Sequence, residues 1–81
     1  SMAALLGDRV EVMEAEAVKG SRIVSGALSE VSLPRGVLVG ALRRDGALLV
    51  PRGPDRVEPG DRVLLIATTK SAAKLTEFLT D

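Results

Sequence analysis

Five arginines stand in the middle of the 81-residue chain and are its best candidates for chemistry with a ligand. They are Arg35, Arg43, Arg44, Arg52 and Arg56. Guanidinium groups bind phosphate and carboxylate oxygens through paired hydrogen bonds, so this set could form an anion or nucleotide-phosphate clamp. The same arginines could instead solubilise strand ends and form ion pairs with Asp55, Glu58 and Asp61. Of these two interpretations, we favour the structural one.

Three glutamates near the start, Glu11, Glu14 and Glu16, suggest a metal site or a general base. The chain has no histidine and no cysteine, which removes the usual base and the commonest nitrogen and sulfur ligands. The glutamates also alternate with apolar residues, which is typical of the water-facing side of a strand. We therefore interpret them as a solvated face, and we predict no metal ligand and no catalytic residue.

No arrangement typical of an enzyme emerges from the remaining polar residues. The serines have no histidine to activate them, and the glycines do not follow a phosphate-cradling pattern. We therefore expect a protein that is not an enzyme and that needs no cofactor for its core.

Charge and hydropathy argue against nucleic-acid binding and against insertion into a membrane. Eleven basic and eleven acidic residues give a formal net charge of zero, which removes the long-range field on which non-specific nucleic-acid binding depends. The apolar runs fall far short of the roughly 20 residues that a membrane-spanning helix needs. We expect neither nucleic-acid binding nor direct insertion into a membrane.

The start of the chain is not typical of a native protein, because Ser1 precedes Met2. We interpret this serine as an expression remnant and expect the chain to be cut from a longer protein. On this basis residues 1–9 form a lead-in segment, and residues 10–81 form one domain.

The arginines are positioned by a central hairpin. Val37–Leu42 is an almost uninterrupted apolar run, typical of a strand covered on both faces. Asp45–Gly46 tolerates positive φ at both central positions of a type I′ turn, and it should join this strand to Ala47–Val50. Pro51 should end the second strand because it has no amide hydrogen for the ladder.

Two further strands flank this hairpin in sequence. Glu58–Asp61 fits a type II turn, which should bring the next strand, Arg62–Ala67, into a consecutive antiparallel hairpin. Val10–Ala17 alternates apolar and acidic residues, except where Val12 and Met13 are adjacent. The pattern predicts a β-bulge at that point, which would return Met13 to the side that Val12 faces.

Two helices complete the predicted elements. Ser25 can cap a short helix in which Leu28 and Val31 form one apolar stripe, and Pro34 stops its continuation. After the polar stretch from Thr68 to Ser71, a second helix is predicted from helically spaced apolar residues. These are Ala72, Leu75, Phe78 and Leu79.

The resulting fold class is α+β. We predict a small, mostly antiparallel four-stranded sheet with two helices on one side, in the order β-α-β-β-β-α. The core is aliphatic, since the chain has one Phe and no Trp or Tyr, and a single copy of this size is marginally stable. Dimerisation should supply part of the stability. We place the contact at Val37, Leu38 and Val39, because an all-apolar strand exceeds what one thin domain can cover.

The order of three motifs resembles one family. The chain reads LPRGVLVGALRRDG over 33–46, PRG over 51–53 and EPGDRV over 58–63. Together these motifs are similar to the TrkA C-terminal domain, also called the RCK C-terminal domain, and the similarity covers about Val10 to Leu79.

The resemblance implies a regulatory domain of potassium uptake systems and cation transporters, on the cytoplasmic side of the inner membrane. It implies a homodimer whose partners are a membrane channel or transporter subunit and an upstream Rossmann-like nucleotide-binding domain. Some relatives bind cyclic di-adenosine monophosphate between two copies. If this chain does so, the matching ligand-binding residues are Arg35, Val37 and Val39.

Two alternatives remain open at this point. The domain could be a protein-interaction module that responds to no small molecule. It could also be a small DNA-binding dimer, although its zero net charge argues against that function.

Overall fold

A computed structural model describes residues 9–81, so most of the predicted lead-in segment lies outside the described residues. The chain forms four strands, a 3-10 turn between the first two strands, and two short α-helices after the last strand. The strands are β1 (Val10–Glu16), β2 (Val37–Arg44), β3 (Ala47–Leu49) and β4 (Arg62–Thr68), and the α-helices are α1 (Thr69–Ala72) and α2 (Leu75–Leu79). None of the helices within residues 9–81 has the length and hydropathy of a membrane-spanning helix.

The four strands form one sheet in the order β1-β4-β2-β3, and every neighbouring pair is antiparallel. The predicted fold class is therefore confirmed. The expected hairpin between β3 and β4 is wrong, because β4 lies between β1 and β2 and hydrogen-bonds to both. The loop from 50 to 61 carries the chain across the end of β2 to reach that central position.

Both predicted turns are confirmed by their backbone geometry. Asp45 and Gly46 have φ values of 51° and 79°, as a type I′ turn requires, and they connect β2 to β3. In the second turn Gly60 has φ 91°, and the amide of Asp61 donates to the carbonyl of Glu58 at 3.0 Å.

The β-bulge is in β2 and not in β1. The register of β1 with β4 runs unbroken from Val10 to Glu16, so the bulge predicted at Val12 and Met13 is wrong. The register of β2 with β4 shifts between Val39 and Ala41, which makes Gly40 the extra residue. As a result β1 keeps strict alternation, and Val12 lies on the same face as Glu14.

The short helix predicted from Ser25 to Val31 is replaced by a 3-10 turn over Arg22–Val24. The following residues use their amides elsewhere: Leu28 donates to the carbonyl of Asp55 at 2.9 Å and Ser29 to that of Gly53 at 2.8 Å. These bonds to the 53–56 loop replace the intrahelical bonds that a helix would need.

The C-terminal helix forms in two pieces. Thr68 caps α1 by accepting a hydrogen bond from the amide of Ser71, as one of the predicted cap candidates. The amide of Lys74 donates to the carbonyl of Ser71 at 3.0 Å, a tightened bond that separates α1 from α2. The break directs Leu75 and Phe78 into the core, where both are buried.

The core lies on one side of the sheet, which we call the inner face. Val39, Leu42, Val63, Leu65 and Ala67 project from the strands onto Ile23, Val57, Leu75 and Phe78. Phe78 has no exposed surface, so its predicted role as a core anchor is confirmed. We call the opposite side the outer face. The structure shows no helix of residues 9–81 packed on it.

Candidate functional site

The predicted ligand and dimer residues fall on different sides of the sheet. Val37 is half-buried on the inner face and packs against the core. Val39 is only 7% exposed and is part of the core itself, whereas Leu38 between them is 58% exposed on the outer face. Alternation along β2 therefore leaves Leu38 as the strand's main surface for a partner, and Val39 offers almost none.

Arg35 is exposed at the mouth of a groove of about 490 Å³, between the turn before β2 and the start of the C-terminal helices. Its guanidinium makes no ion pair or hydrogen bond within residues 9–81. The groove is lined by Pro34, Arg35, Gly36, Thr68, Lys70, Ser71 and Lys74. Three cationic side chains and two hydroxyls line it, and no carboxylate does.

Backbone contacts hold the two walls of this groove together. The hydroxyl of Ser71 donates to the carbonyl of Arg35 at 2.5 Å, and the amide of Thr68 donates to the carbonyl of Gly36 at 2.9 Å. Gly36 has φ +84°, and a Cβ there would lie 2.8 Å from the hydroxyl oxygens of both Ser71 and Thr68. A side chain at this position would be strained by the positive φ and would crowd both hydroxyls, and the two hydrogen bonds hold the backbone of Arg35 beside α1.

The sequence pattern did not identify the two lysines of the groove. Lys70 and Lys74 lie far from Arg35 in the chain and meet it only because β4 ends beside the start of β2. One signal was available. Both lysines follow the predicted cap at Thr68, four residues apart, on the side of the helix that carries no apolar stripe.

Arg44 is a structural residue. Its Nε and Nη2 bind the Oδ1 and Oδ2 atoms of Asp61 at 2.9 and 2.7 Å, and Nη1 lies 2.7 Å from a carboxylate oxygen of Glu58. Nη2 also donates to the carbonyl of Arg56 at 3.0 Å. These bonds tie the end of β2 to the Glu58–Asp61 turn, and they confirm the structural interpretation for this arginine.

Asp61 is the buried member of this arrangement, with 2% of its surface exposed. It also accepts a hydrogen bond from the amide of Glu58 at 2.8 Å. The hydrogen bonds from Arg44 lower the pKa of Asp61 below its ordinary value, and the Glu58 amide adds to this effect although burial opposes it. The same contact with Asp61 raises the pKa of Arg44. The carboxylate is therefore charged at neutral pH.

The N-terminal glutamates do not form a metal site. Glu14 pairs with Arg62 at 3.0 Å on the outer face, and both side chains are at least half exposed. Residues 9–81 contain no group of three or more acidic, histidine or cysteine side chains that could hold a metal ion.

The outer face leaves several aliphatic side chains of residues 9–81 open to water. Val12 and Leu48 are about two-thirds exposed and Leu64 is 37% exposed, which adds to the open surface of Leu38. Ala41 and Leu64, with Leu48, line a shallow depression whose rim carries Glu14, Arg43 and Arg62. An exposed apolar patch rimmed by charges is typical of a protein interaction surface.

Comparison with known proteins relates the whole domain to one family. Residues 12–80 match the TrkA-C domain. The chain is 33% identical over 72 residues to "Trk system potassium uptake protein TrkA homolog 1" of Methanosarcina mazei, a match that covers 89% of this chain and 16% of that protein. It is 30% identical over 69 residues to "Trk system potassium uptake protein TrkA homolog" of Archaeoglobus fulgidus, covering 85% and 16%.

The fold also matches a solved structure described as "Structure of RCK domain with cda". The TM-score is 0.71, the match covers 84% of this chain and 96% of that one, and the sequence identity is 16%. At this low sequence identity, the similarity shows only that the two chains share a fold. The chain spans about one sixth of the length of the curated relatives it matches.

Proposed function

The chain belongs to the TrkA-C domain family, and from this premise we propose that it is a regulatory and dimerisation domain of a potassium uptake system. The proposal places the domain on the cytoplasmic side of the inner membrane, where it would act on a membrane channel or transporter subunit. The names of the relatives support the potassium system. The domain would supply a contact between subunits and a ligand groove, and the gate would lie in the membrane partner.

The observation that carries the proposed dimerisation is the open outer face. Four aliphatic side chains expose more than a third of their surface there, on a domain whose other face already fills its core. A second copy that covers this face would remove that surface from water, and such burial stabilises association by roughly 25 cal/mol per Å² before the costs of binding. Leu38 is the one predicted contact residue that can contribute directly.

The proposed ligand is cyclic di-adenosine monophosphate, held through its phosphates. Arg35 remains the residue predicted to bind it, and Lys70 and Lys74 add two cations in the same groove. Val37 lies at the start of β2 beside this groove. Val39 is too buried to touch a ligand in the described conformation, so its place in the proposed site is behind Val37.

A two-state mechanism would connect the ligand to the transporter. The ligand must bind one arrangement of two subunits more tightly than another, since a ligand with equal affinity for both shifts no equilibrium. The groove includes the turn that enters β2 and the start of α1, so an anion there would bias the position of both elements relative to the outer face.

The test is calorimetric titration of the domain with cyclic di-adenosine monophosphate, with light scattering on the same sample. We expect a dimer that binds the dinucleotide saturably, and we expect the Arg35→Ala, Lys70→Ala and Lys74→Ala variants each to weaken binding. Arg52→Ala is the matched control, because Arg52 lies in the exposed loop after β3 and outside the groove.

A dimer that ignores the dinucleotide would leave a ligand-independent interaction module as the function of this domain. A chain that stays monomeric at high concentration would contradict the proposed dimerisation. Binding that Arg52→Ala weakens as much as Arg35→Ala would contradict the proposed groove.

A further inference from the structure

Two charged side chains on the outer face have no partner among residues 9–81. Arg43 on β2 and Glu16 on β1 are both exposed, and neither forms an ion pair or a side-chain hydrogen bond within this range. Their neighbour Arg62, on β4 between them, is already paired with Glu14.

The strand register places these charges in one row. Glu16 is opposite Arg62 on one side, and Arg43 is opposite Arg62 on the other. An apolar row runs parallel to it nearer the other end of the strands, where Val12 and Leu38 flank Ile66. In each row the central residue is on β4, and the outer two are on β1 and β2.

We propose that two copies pack outer face to outer face around a two-fold axis that runs along β4, so that Arg43 of each copy pairs with Glu16 of the partner subunit. This inference rests on the proposed dimerisation and adds the register of the interface. A two-fold axis parallel to the strands leaves each row at the same position along the strand direction. It places β1 of one copy opposite β2 of the partner subunit. Val12 then meets Leu38 of the partner subunit in the apolar row.

Charge or incomplete coverage disfavours the other two-fold arrangements. An axis along β1 would oppose the two copies of Glu16. An axis between β1 and β4 would oppose Glu16 to Arg62 of the partner subunit, but it would leave β2, with Leu38 and Arg43, outside the contact. An axis between β4 and β2 would place Arg62 against Arg43 of the partner subunit, which brings like charges together. An axis along β2 would oppose the two copies of Arg43. An axis perpendicular to the strands would bury the charged row against the apolar row, which leaves charges desolvated and unpaired.

The favoured arrangement forms two Arg43–Glu16 pairs between the subunits and opposes like charges only at the axis. The charged rows of two copies, with the two Glu14 side chains, contain four arginines and four glutamates. The two Arg62 side chains meet near the axis, and each keeps its own Glu14 at 3.0 Å. Aligned sheets pack at about −30°, a rotation that the long side chains of Arg43 and Glu16 can span.

The test is a charge exchange followed by sedimentation equilibrium of the 81-residue chain. Arg43→Glu and Glu16→Arg should each weaken the dimer by about ten-fold or more, since each opposes like charges in the row. The double variant, Arg43→Glu with Glu16→Arg, should restore the dissociation constant to within about three-fold of the original. Arg52→Glu and Glu77→Arg are matched controls, because they make the same charge changes at exposed positions away from the outer face.

The outcomes separate this register from the dimer itself. Recovery in the double variant, with unchanged controls, supports pairing between Arg43 and Glu16. If the original chain dimerises but the double variant is as weak as the single ones, the register is wrong and the proposed dimerisation stands. If the original chain is monomeric, both proposals fail. Circular dichroism of each variant at the same concentration checks that the fold is retained.

Discussion

The inner and outer faces of the sheet are both rich in aliphatic side chains, but their surroundings differ. Val39, Val63 and Leu65 on the inner face are covered by the helical segments and by Phe78. Val12 and Leu38 occupy comparable positions on the outer face and remain more than half exposed. An apolar pattern in a strand therefore identifies burial sites without saying whether the same chain or another one covers them.

The two faces also treat charge differently. At the C-terminal end of β2, Arg44 forms two hydrogen bonds with Asp61, an aspartate that is almost fully buried. The outer pair, Glu14 with Arg62, is open to water on both sides. Buried charge that is fully hydrogen-bonded holds a fold in one arrangement, whereas exposed pairs contribute little.

The largest expected contrast comes from placing a lysine at two adjacent residues of β2. Val39→Lys should destabilise the monomer by about 3 kcal/mol or more, because the ammonium would be buried in the core. Leu38→Lys should leave the unfolding free energy of the monomer within about 1 kcal/mol and should weaken the dimer instead. Urea unfolding at low concentration measures the first effect, and sedimentation measures the second. Equal destabilisation by both variants would contradict the assignment of the two faces.

Removal of one carboxylate from each ion pair should give the next contrast. Asp61→Asn should lower the unfolding free energy by about 2 kcal/mol, because it leaves Arg44 without its charged acceptor. Glu14→Gln should change it by less than about 0.5 kcal/mol, since that pair is screened by water. Urea unfolding of both variants at neutral pH is the measurement. If Glu14→Gln lowers the unfolding free energy as much as Asp61→Asn does, the proposed difference between the exposed and the buried ion pair is wrong.

The pH dependence of stability should follow the buried pair. The pKa of Asp61 is lower in the folded chain than its ordinary value of 3.8, so its contribution is fully present above that pH. The contribution is lost as the pH falls through the lower folded pKa, because protonation breaks the charged bonds to Arg44. Unfolding midpoints measured from about pH 5 downwards should fall more steeply for the original chain than for Asp61→Asn. If the unfolding midpoints of both proteins fall equally steeply with decreasing pH, another carboxylate determines the loss of stability in acid.

The smallest effect is expected where a hydroxyl replaces a methyl group on the outer face. Val12→Thr should change the unfolding free energy of the dilute monomer by less than about 0.5 kcal/mol, since 65% of Val12 is exposed. Val63→Thr is the matched inner-face variant. It should cost about 1–3 kcal/mol, because no water reaches that position to solvate the hydroxyl. Thermal unfolding at several protein concentrations separates these monomer effects from any loss of association.

Features of the fold set by neighbouring residues were predictable from the sequence. The turn at Asp45–Gly46 requires positive φ at two residues, and few dipeptides tolerate it. The turn at Glu58–Asp61 combines Pro and Gly at the positions that a type II turn favours. The family resemblance, carried by these same turns, is confirmed by the match over residues 12–80.

Features set by distant residues were not predictable in this way. The insertion of β4 between β1 and β2 depends on pairing across the whole chain, which no local pattern specifies. The helix predicted at 25–31 was lost to hydrogen bonds with the 53–56 loop. Of the residues that line the groove, the sequence singled out only Arg35 for ligand binding, because Lys70 and Lys74 reach the groove through the same long-range pairing.

The strand order also has a consequence for synthesis of the chain on the ribosome. Val10 pairs with Thr68, which lies 58 positions later in the chain (68 − 10 = 58). Strand β1 is therefore synthesised long before β4, the strand with which it pairs. At roughly 5–20 residues per second, β1 remains an unpaired edge for about 3–12 seconds. Glu11, Glu14 and Glu16 keep that waiting strand charged, which discourages pairing with another nascent chain. The acidic alternation of β1 thus disfavours aggregation of a strand whose partner is synthesised late.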